Sequence, residues 1–297
     1  MTVEWIAADW GTSNVRFWAV STGGSILGER TSDKGMGGLK PSEFEGVLSA
    51  VCADWLSSAS HVVACGMVGS RQGWVEAPYQ TVPCKVCPNQ MVTAPVTRKS
   101  LAVHVIPGIR QLAPPDVMRG EETQIAGFLA ENPGWDGVIC LPGTHTKWAH
   151  VSADEIVSFK TVMTGEMFAL LSENSVLHHS IAATGWDDDA FADAMSKTLS
   201  RPETLAGNLF SIRAAQLLQD TDTATLRARL SGLLIGAELA ATRPYWLGQN
   251  VALIGADAVS MPYVAGLAAQ GVKVKRADAK SMTLAGIKAA HSLLEIA

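Results

Sequence analysis

The feature that most restricts how this chain can fold is a layout that occurs twice. Residues 5–38, WIAADWGTSNVRFWAVSTGGSILGERTSDKGMGG, run as an apolar strand, a Gly-Thr-polar-polar turn, a basic residue, an aromatic strand, a short polar turn and a third strand. Residues 138–168, VICLPGTHTKWAHVSADEIVSFKTVMTGEMF, keep the same order. Gly11-Thr12 matches Gly143-Thr144; with one residue fewer in the second turn, Arg16 matches Lys147 and Phe17 matches Trp148. β-Branched and aromatic runs flanking a Gly-containing polar break read as hairpins. Two copies predict two similar lobes, each offering backbone N–H groups and hydroxyls that can hold phosphate oxygens. The copies differ at one point: Asp9 stands two residues before Gly11, whereas Leu141 and Pro142 precede Gly143. A turn alone can use an Asp to bond its own backbone, but a clamp on Mg-ATP needs one carboxylate, on one side, for the hydrated metal. The asymmetry favours the clamp, with Asp9, Gly11, Thr12 and Ser13 on one side and Gly143, Thr144, His145, Thr146 and Lys147 on the other. His145 is read as a hydrogen-bond donor to phosphate. Lys147 faces either the phosphates or, by the alternation after the turn, solvent.

Composition agrees with two lobes. A chain of 297 residues, 47% hydrophobic and 17% charged, can bury a large core and exceeds the usual size of one domain. A net charge of −5, with no Lys/Arg run, gives no patch for nucleic acid or membrane. No basic leader precedes an apolar core and no apolar run approaches bilayer length, so a cytoplasmic protein is expected. Five scattered cysteines are not a disulfide framework, and Cys84-x-x-Cys87 lacks a second pair to complete a zinc site. Neither the Walker pattern nor G-x-G-x-x-G occurs.

Two further segments carry candidate chemistry. In MRGEETQIAGFLAENPG, Glu121 and Glu122 open a helix whose apolar residues recur at helical spacing and which ends at Asn132-Pro133-Gly134. First-turn acids are also favoured by the helix dipole alone. In VVACGMVGSRQGWVEAPY, residues 62–79, a buried strand runs into a polar loop, at the strand end where open α/β sheets bind ligands. The boundaries that follow are a first lobe over 1–118, a linking helix within 119–135 and a second lobe over 136–297, which ends in an amphipathic helix.

These hairpins resemble the sugar-kinase, actin and heat-shock-chaperone superfamily, whose first phosphate hairpin reads D-x-G-[TS]. CGMVGSRQGWVEAPY, MRGEETQIAG, LPGTHTKWA, TGEMFALL and LSGLLIGAEL together resemble the 2-dehydro-3-deoxygalactonokinase family along nearly the whole chain. The resemblance implies an α/β fold of two RNase H-like lobes with an interlobe ATP cleft. It implies ATP and Mg2+ as cofactors, Asp9 as the metal ligand, and VALIGADAVSMPYVAGLAA, with Gly255 and Asp257, as the adenosine segment. The implied reaction is ATP-dependent phosphorylation of the 6-hydroxyl of 2-dehydro-3-deoxy-D-galactonate in galactonate breakdown.

Such a kinase needs a carboxylate at the acceptor alcohol. Related sugar kinases place it at the start of the linking helix, which makes Glu121, and after it Glu122, the expected base. Ser70, Arg71, Gln72 and Trp74, with Glu76 beside them, are expected at the sugar acid; the alternative, given less weight, is a structural loop with Trp74 as lid packing. Arg119 can hold the substrate carboxylate as a bidentate pair or lie solvated. The partner is then a small-molecule sugar acid; a homodimer is compatible with the residues. The competing expectations are an actin-like or chaperone-like ATPase using the same clamp, and a kinase of the same fold for another sugar or sugar acid.

Overall fold

A computed structural model describes residues 2–87 and 90–294. The chain divides into two compact units: residues 1–136 with 151–158 and 278–297, and residues 137–150 with 159–277. The units are therefore not continuous segments, since a hairpin tip and the C-terminal helix, both inside 136–297, belong to the first.

The first unit contains β1 (Val3–Trp10), β2 (Val15–Ser21), β3 (Ile26–Ser32), α1 (Phe44–Cys52), β4 (His61–Gly66), the short strands β5 (Gln80–Thr81), β6 (Cys84–Lys85) and β7 (Val92–Ala94), then β8 (Ala102–Val105), β9 (Ile109–Leu112), β10 (Pro115–Met118) and α2 (Glu121–Glu131). Its main sheet has the order β3-β2-β1-β4-β8-β7, with β1 antiparallel to β2 and parallel to β4. β1 is apolar on both faces because a central strand of such a sheet is covered twice. The period of two sorts its residues. Ile6, Ala8 and Trp10 join Phe17, Phe44 and Trp74 in one core, while Trp5 and Ala7 join Trp18, Val63 and Cys65 in another. Register aligns Cys65, Asp9, Arg16 and Thr31 in one row across β4, β1, β2 and β3.

The second unit repeats this plan with β11 (Gly137–Leu141), β12 (Thr146–Ser152), β13 (Glu155–Val162), α3 (Thr164–Asn174), α4 (Asp188–Ser200), α5 (Leu205–Gln219), α6 (Thr223–Ala241), α7 (Arg243–Trp246), β14 (Val251–Ile254), α8 (Asp257–Ala268) and β15 (Val274–Ala277). The strands run in the order β15-β14-β11-β12-β13, with β14 parallel to β11 and to β15. Both units thus have three strands joined by hairpins and extended by parallel strands on the side of the first, the two similar lobes that the duplicated sequence predicts and the RNase H-like arrangement that the resemblance implies. Asp187 caps α4 by accepting the Ala190 N–H at 3.0 Å. α6 buries Leu226, Leu230, Leu233, Leu234, Ile235 and Leu239 against helices on several sides.

The last helix, α9 (Ala279–Ser292), returns to the first unit, capped by Asp278, and packs on α2. The contact is backbone on backbone. A Cβ on Gly127 would overlap the Met282 carbonyl oxygen, and one on Gly286 that of Thr123. Among the described residues no helix is long and apolar enough to cross a membrane, and all five cysteines are free thiols.

Candidate active site

The first hairpin is held from behind. Gly35, Met36 and Gly37 donate their N–H groups to the carbonyls of Ser13, Gly11 and Thr12 at 3.2, 3.0 and 2.9 Å, and Gly11 N–H closes the turn on Asn14 O at 2.9 Å. The carbonyls being engaged, the exposed hydroxyls of Thr12 and Ser13 line a cavity of about 640 Å3 with Asp9, Asn14, Arg16 and Asp33. Asp9 lies in the row between Cys65 and Arg16, with Cys65 Sγ 3.8 Å from its Oδ1. Burial pushes its carboxyl up from the ordinary range, opposed by the Arg16 guanidinium and the Cys65 thiol. Arg16 is itself anchored 3.4 Å from Glu29. The Asp9 and Asp33 carboxylates and the Thr12 and Ser13 hydroxyls supply oxygens of the kind a hard cation such as Mg2+ takes, with the Arg16 guanidinium and the Cys65 thiol beside them; among the described residues no group of three or more His, Cys, Asp or Glu side chains could hold a metal ion.

The link from β10 to α2 is Arg119-Gly120. Gly120 has φ 107°, a conformation a side chain would strain, and both glutamates follow it at the start of α2. Glu122 is 1% exposed; its Oε2 accepts the Gly120 N–H at 2.7 Å and its Oε1 the Thr123 hydroxyl at 3.1 Å. Burial, with the Glu121 charge beside it, pushes the Glu122 carboxyl up to about 7. Glu121 is half-buried, and its Oε2 accepts the Arg119 N–H at 3.0 Å.

Among the substrate-loop residues the structure draws a sharp division. Arg71 is 81% exposed on its side chain and lies 3.4 Å from the exposed Glu76; Gln72 is exposed too. Trp74 is 4% exposed, packs against Trp10 and Phe44, and donates its indole N–H to Pro95 O at 3.0 Å. Arg119 and Ser70 differ from these. Arg119 Nη2 donates to Ala77 O at 2.8 Å and its guanidinium lies over the Tyr79 ring. Buried Arg119 Nε and Nη1, and buried Ser70 Oγ, have no hydrogen-bond partner among the described residues. Nη1 sits beside Gly69, next in sequence to Ser70.

In the second unit, Gly143 and Thr144 open a cavity of about 450 Å3 whose walls include Thr164, Phe168, Trp186, Arg227 and Tyr263. The start of α3 abuts the hairpin: Glu166 N–H donates to Thr144 O at 2.9 Å, and its carboxylate meets His145 Nε2 at 2.5 Å. Thr146 and Lys147 point inward. Thr146 Oγ1 is 3.0 Å from Tyr263 Oη, and Lys147 Nζ donates to Thr161 at 2.9 Å. The solvent alternative for Lys147 is thus excluded, because β12 is covered on both faces. Gly255 and Asp257 lie next to the cavity rather than in its lining, Asp257 pairing with Arg276; Ala258, Val259, Pro262 and Tyr263 of the same segment line it.

Residues 9–290 match the family model described as 2-keto-3-deoxy-galactonokinase. The chain is 34% identical to the 2-dehydro-3-deoxygalactonokinase of Escherichia coli (strain K12), over 99% of both proteins. The chain belongs to the 2-keto-3-deoxy-galactonokinase family. It is also 37% identical to a Rhizobium meliloti (strain 1021) protein named as a probable 2-dehydro-3-deoxygalactonokinase, over 96% of this chain and 95% of that one. The crystal structure of a Sinorhizobium meliloti protein assigned provisionally to the same activity superposes with a TM-score of 0.91 at 36% identity, covering 98% of this chain and 99% of that one.

Membership makes the chain an ATP-using kinase that transfers phosphate to an alcohol. Within the family frame, several residues that reading the sequence missed stand out: Cys65, beneath Asp9; Phe168 and Arg227, stacked 4.9 Å apart at the second cavity; and Glu238, below it. The signal for Glu238 was present, since an acid interrupts the apolar run LLIGAEL. Cys65 carried no such signal, being one more small residue in an apolar strand.

Proposed function

We propose that the chain phosphorylates the 6-hydroxyl of 2-dehydro-3-deoxy-D-galactonate with ATP, yielding the 6-phosphate and ADP. The observation that carries the choice of a sugar acid is Arg119. A guanidinium with two buried, unpartnered N–H groups beside an unpartnered Ser70 hydroxyl is a costly arrangement unless an anionic acceptor satisfies it. A carboxylate is an anion of the kind an Arg binds. Arg71, exposed and already beside Glu76, is the weaker candidate.

Glu121 is the base. It is accessible, and the Arg119 N–H orients it, so it can accept the hydroxyl proton while O6 bonds to the γ-phosphorus and the bond to the ADP oxygen breaks. Glu122, buried and bonded to Gly120, fixes the turn that sets Glu121 and Arg119. Asp9, with the hydroxyls of Thr12 and Ser13, would hold Mg2+, which when bound neutralises phosphate charge. Gly143, Thr144 and His145 would hold phosphate oxygens, and the cavity bounded by Phe168, Trp186 and Tyr263 would take the nucleoside.

The test is binding with and without the carboxylate. Calorimetry with an unreactive ATP analogue present should show binding of 2-dehydro-3-deoxygalactonate and none of the matching 3-deoxy sugar lacking the carboxyl. Equal binding of the two would exclude this reading.

A further inference from the structure

One buried acid in the second unit ties three walls of its cavity together. Glu238, on α6, is 2% exposed. Its Oε1 accepts the Trp148 indole N–H from β12 at 2.7 Å, and its Oε2 accepts the Tyr263 hydroxyl from α8 at 2.7 Å. The Thr164 hydroxyl, at the start of α3, also bonds to it. Tyr263 gives its single proton to Glu238, so the 3.0 Å contact with Thr146 is donated by Thr146. The hydroxyl chain therefore has a direction, Thr146 to Tyr263 to Glu238. Thr164 and Tyr263 line the cavity, and Thr146 follows the Gly143-Thr144 hairpin directly.

An apolar residue at 238 would fill the same space more cheaply, as burial alone disfavours the carboxylate. What an apolar residue cannot do is accept from three donors arriving from three different elements. We propose that Glu238 is the positioning residue of the nucleotide cavity. By accepting from Trp148, Tyr263 and Thr164 at once, it sets the second hairpin, the start of α3 and the cavity face of α8 at fixed spacing. Without it, Tyr263 and Thr164 lose their common acceptor and the nucleoside meets walls free to reorient. This inference rests on the reading of that cavity as the nucleotide site.

The experiment measures the KM for ATP and for the sugar acid, and the Kd for ADP, in Glu238→Gln, Tyr263→Phe, the double variant, and Ala258→Trp, which fills the cavity from an exposed position. Gln keeps the shape of Glu, but its NH2 must donate, so Tyr263 has to reverse its proton toward Thr146. The expected result is a rise of about tenfold in the KM for ATP and the Kd for ADP in each single variant, with the sugar-acid KM changed less than about twofold. The double variant should be no worse than the worse single, since both break one network. If Glu238→Gln and Tyr263→Phe lower only the melting temperature while Ala258→Trp weakens ATP, Glu238 is structural and the inference is overturned. If Ala258→Trp leaves ATP binding intact, the nucleotide reading of the cavity itself falls. Should Glu238→Gln fail to fold, Tyr263→Phe, which removes one oxygen, decides alone on the same criterion.

Discussion

The guanidinium of Arg119 lies over the ring of Tyr79, 4.4 Å from its centroid. The stack fixes the plane of the fork, and the bond to Ala77 O at 2.8 Å fixes its rotation; the buried Nε and Nη1, on different edges of the guanidinium, have no partner among the described residues. Arg119→Lys keeps the charge and loses that geometry. It should raise the sugar-acid KM by about 10- to 100-fold, the scale of one or two charged hydrogen bonds, with the KM for ATP unchanged. Arg71→Ala should stay within about twofold of wild type, as exposed pairs contribute little. Steady-state kinetics on both substrates checks the pair; equal shifts in the two KM values for Arg119→Lys would rule out a carboxylate contact.

Glu121→Gln and Asp9→Asn should each lower kcat by about 10²- to 10⁴-fold with the fold intact by circular dichroism, the range for losing a general base or a charge-positioning group. Glu122→Gln, at a position the substrate cannot touch, should lose far less. A Glu122 variant as slow as the Glu121 variant would move the base to Glu122.

Glu122 also makes stability depend on pH. Burial raises its carboxyl from 4.5 to about 7 in the folded protein. The native state keeps a proton that the unfolded chain has released, so stability falls as pH rises through that window. The displacement corresponds to about 3 kcal/mol. Glu122→Gln, which cannot ionise, should therefore have a flatter stability profile between pH 5 and 7 and gain on wild type as pH rises. Urea unfolding at four pH values tests the slope, and parallel curves would refute it.

What a Cβ would meet predicts opposite effects for two Gly→Ala changes, one at the α2–α9 crossing and one in α1. Gly286→Ala forces the helices apart at the Thr123 carbonyl and should cost about 1–3 kcal/mol, with reduced kcat because α2 carries Glu121. Gly46→Ala, inside α1 with nothing near its Cβ position, should stabilise by about 0.5–1 kcal/mol. Thermal melts of both variants provide the comparison.

What the sequence made legible was local. Both hairpins, the capped α4 and the start and end of α2 follow from neighbouring residues, and Asp9 stood out because its counterpart position holds Leu141. What it hid depends on distant packing. Glu121 and Glu122 are adjacent on one helix turn, and which of them is buried depends on how the start of α2 packs within the unit. That Trp74, in a polar loop, packs against Trp10 and Phe44 is likewise set by distant residues. Thr146 and Lys147 alternate along β12, but a strand covered on both faces gives alternation no outward side. Choosing between Arg71 and Arg119 required the stack on Tyr79, forty residues away in sequence.

The central claim, a kinase for 2-keto-3-deoxy sugar acids, is tested most directly by coupled ADP release with Mg-ATP. The panel is 2-dehydro-3-deoxygalactonate, its gluconate epimer, the unoxidised aldonic acids, glucose and no acceptor. The account predicts release confined to the 2-keto-3-deoxy acids and fastest with the galactonate form. Release without any acceptor, as an actin-like or chaperone-like ATPase would give, or release with glucose alone, would contradict it.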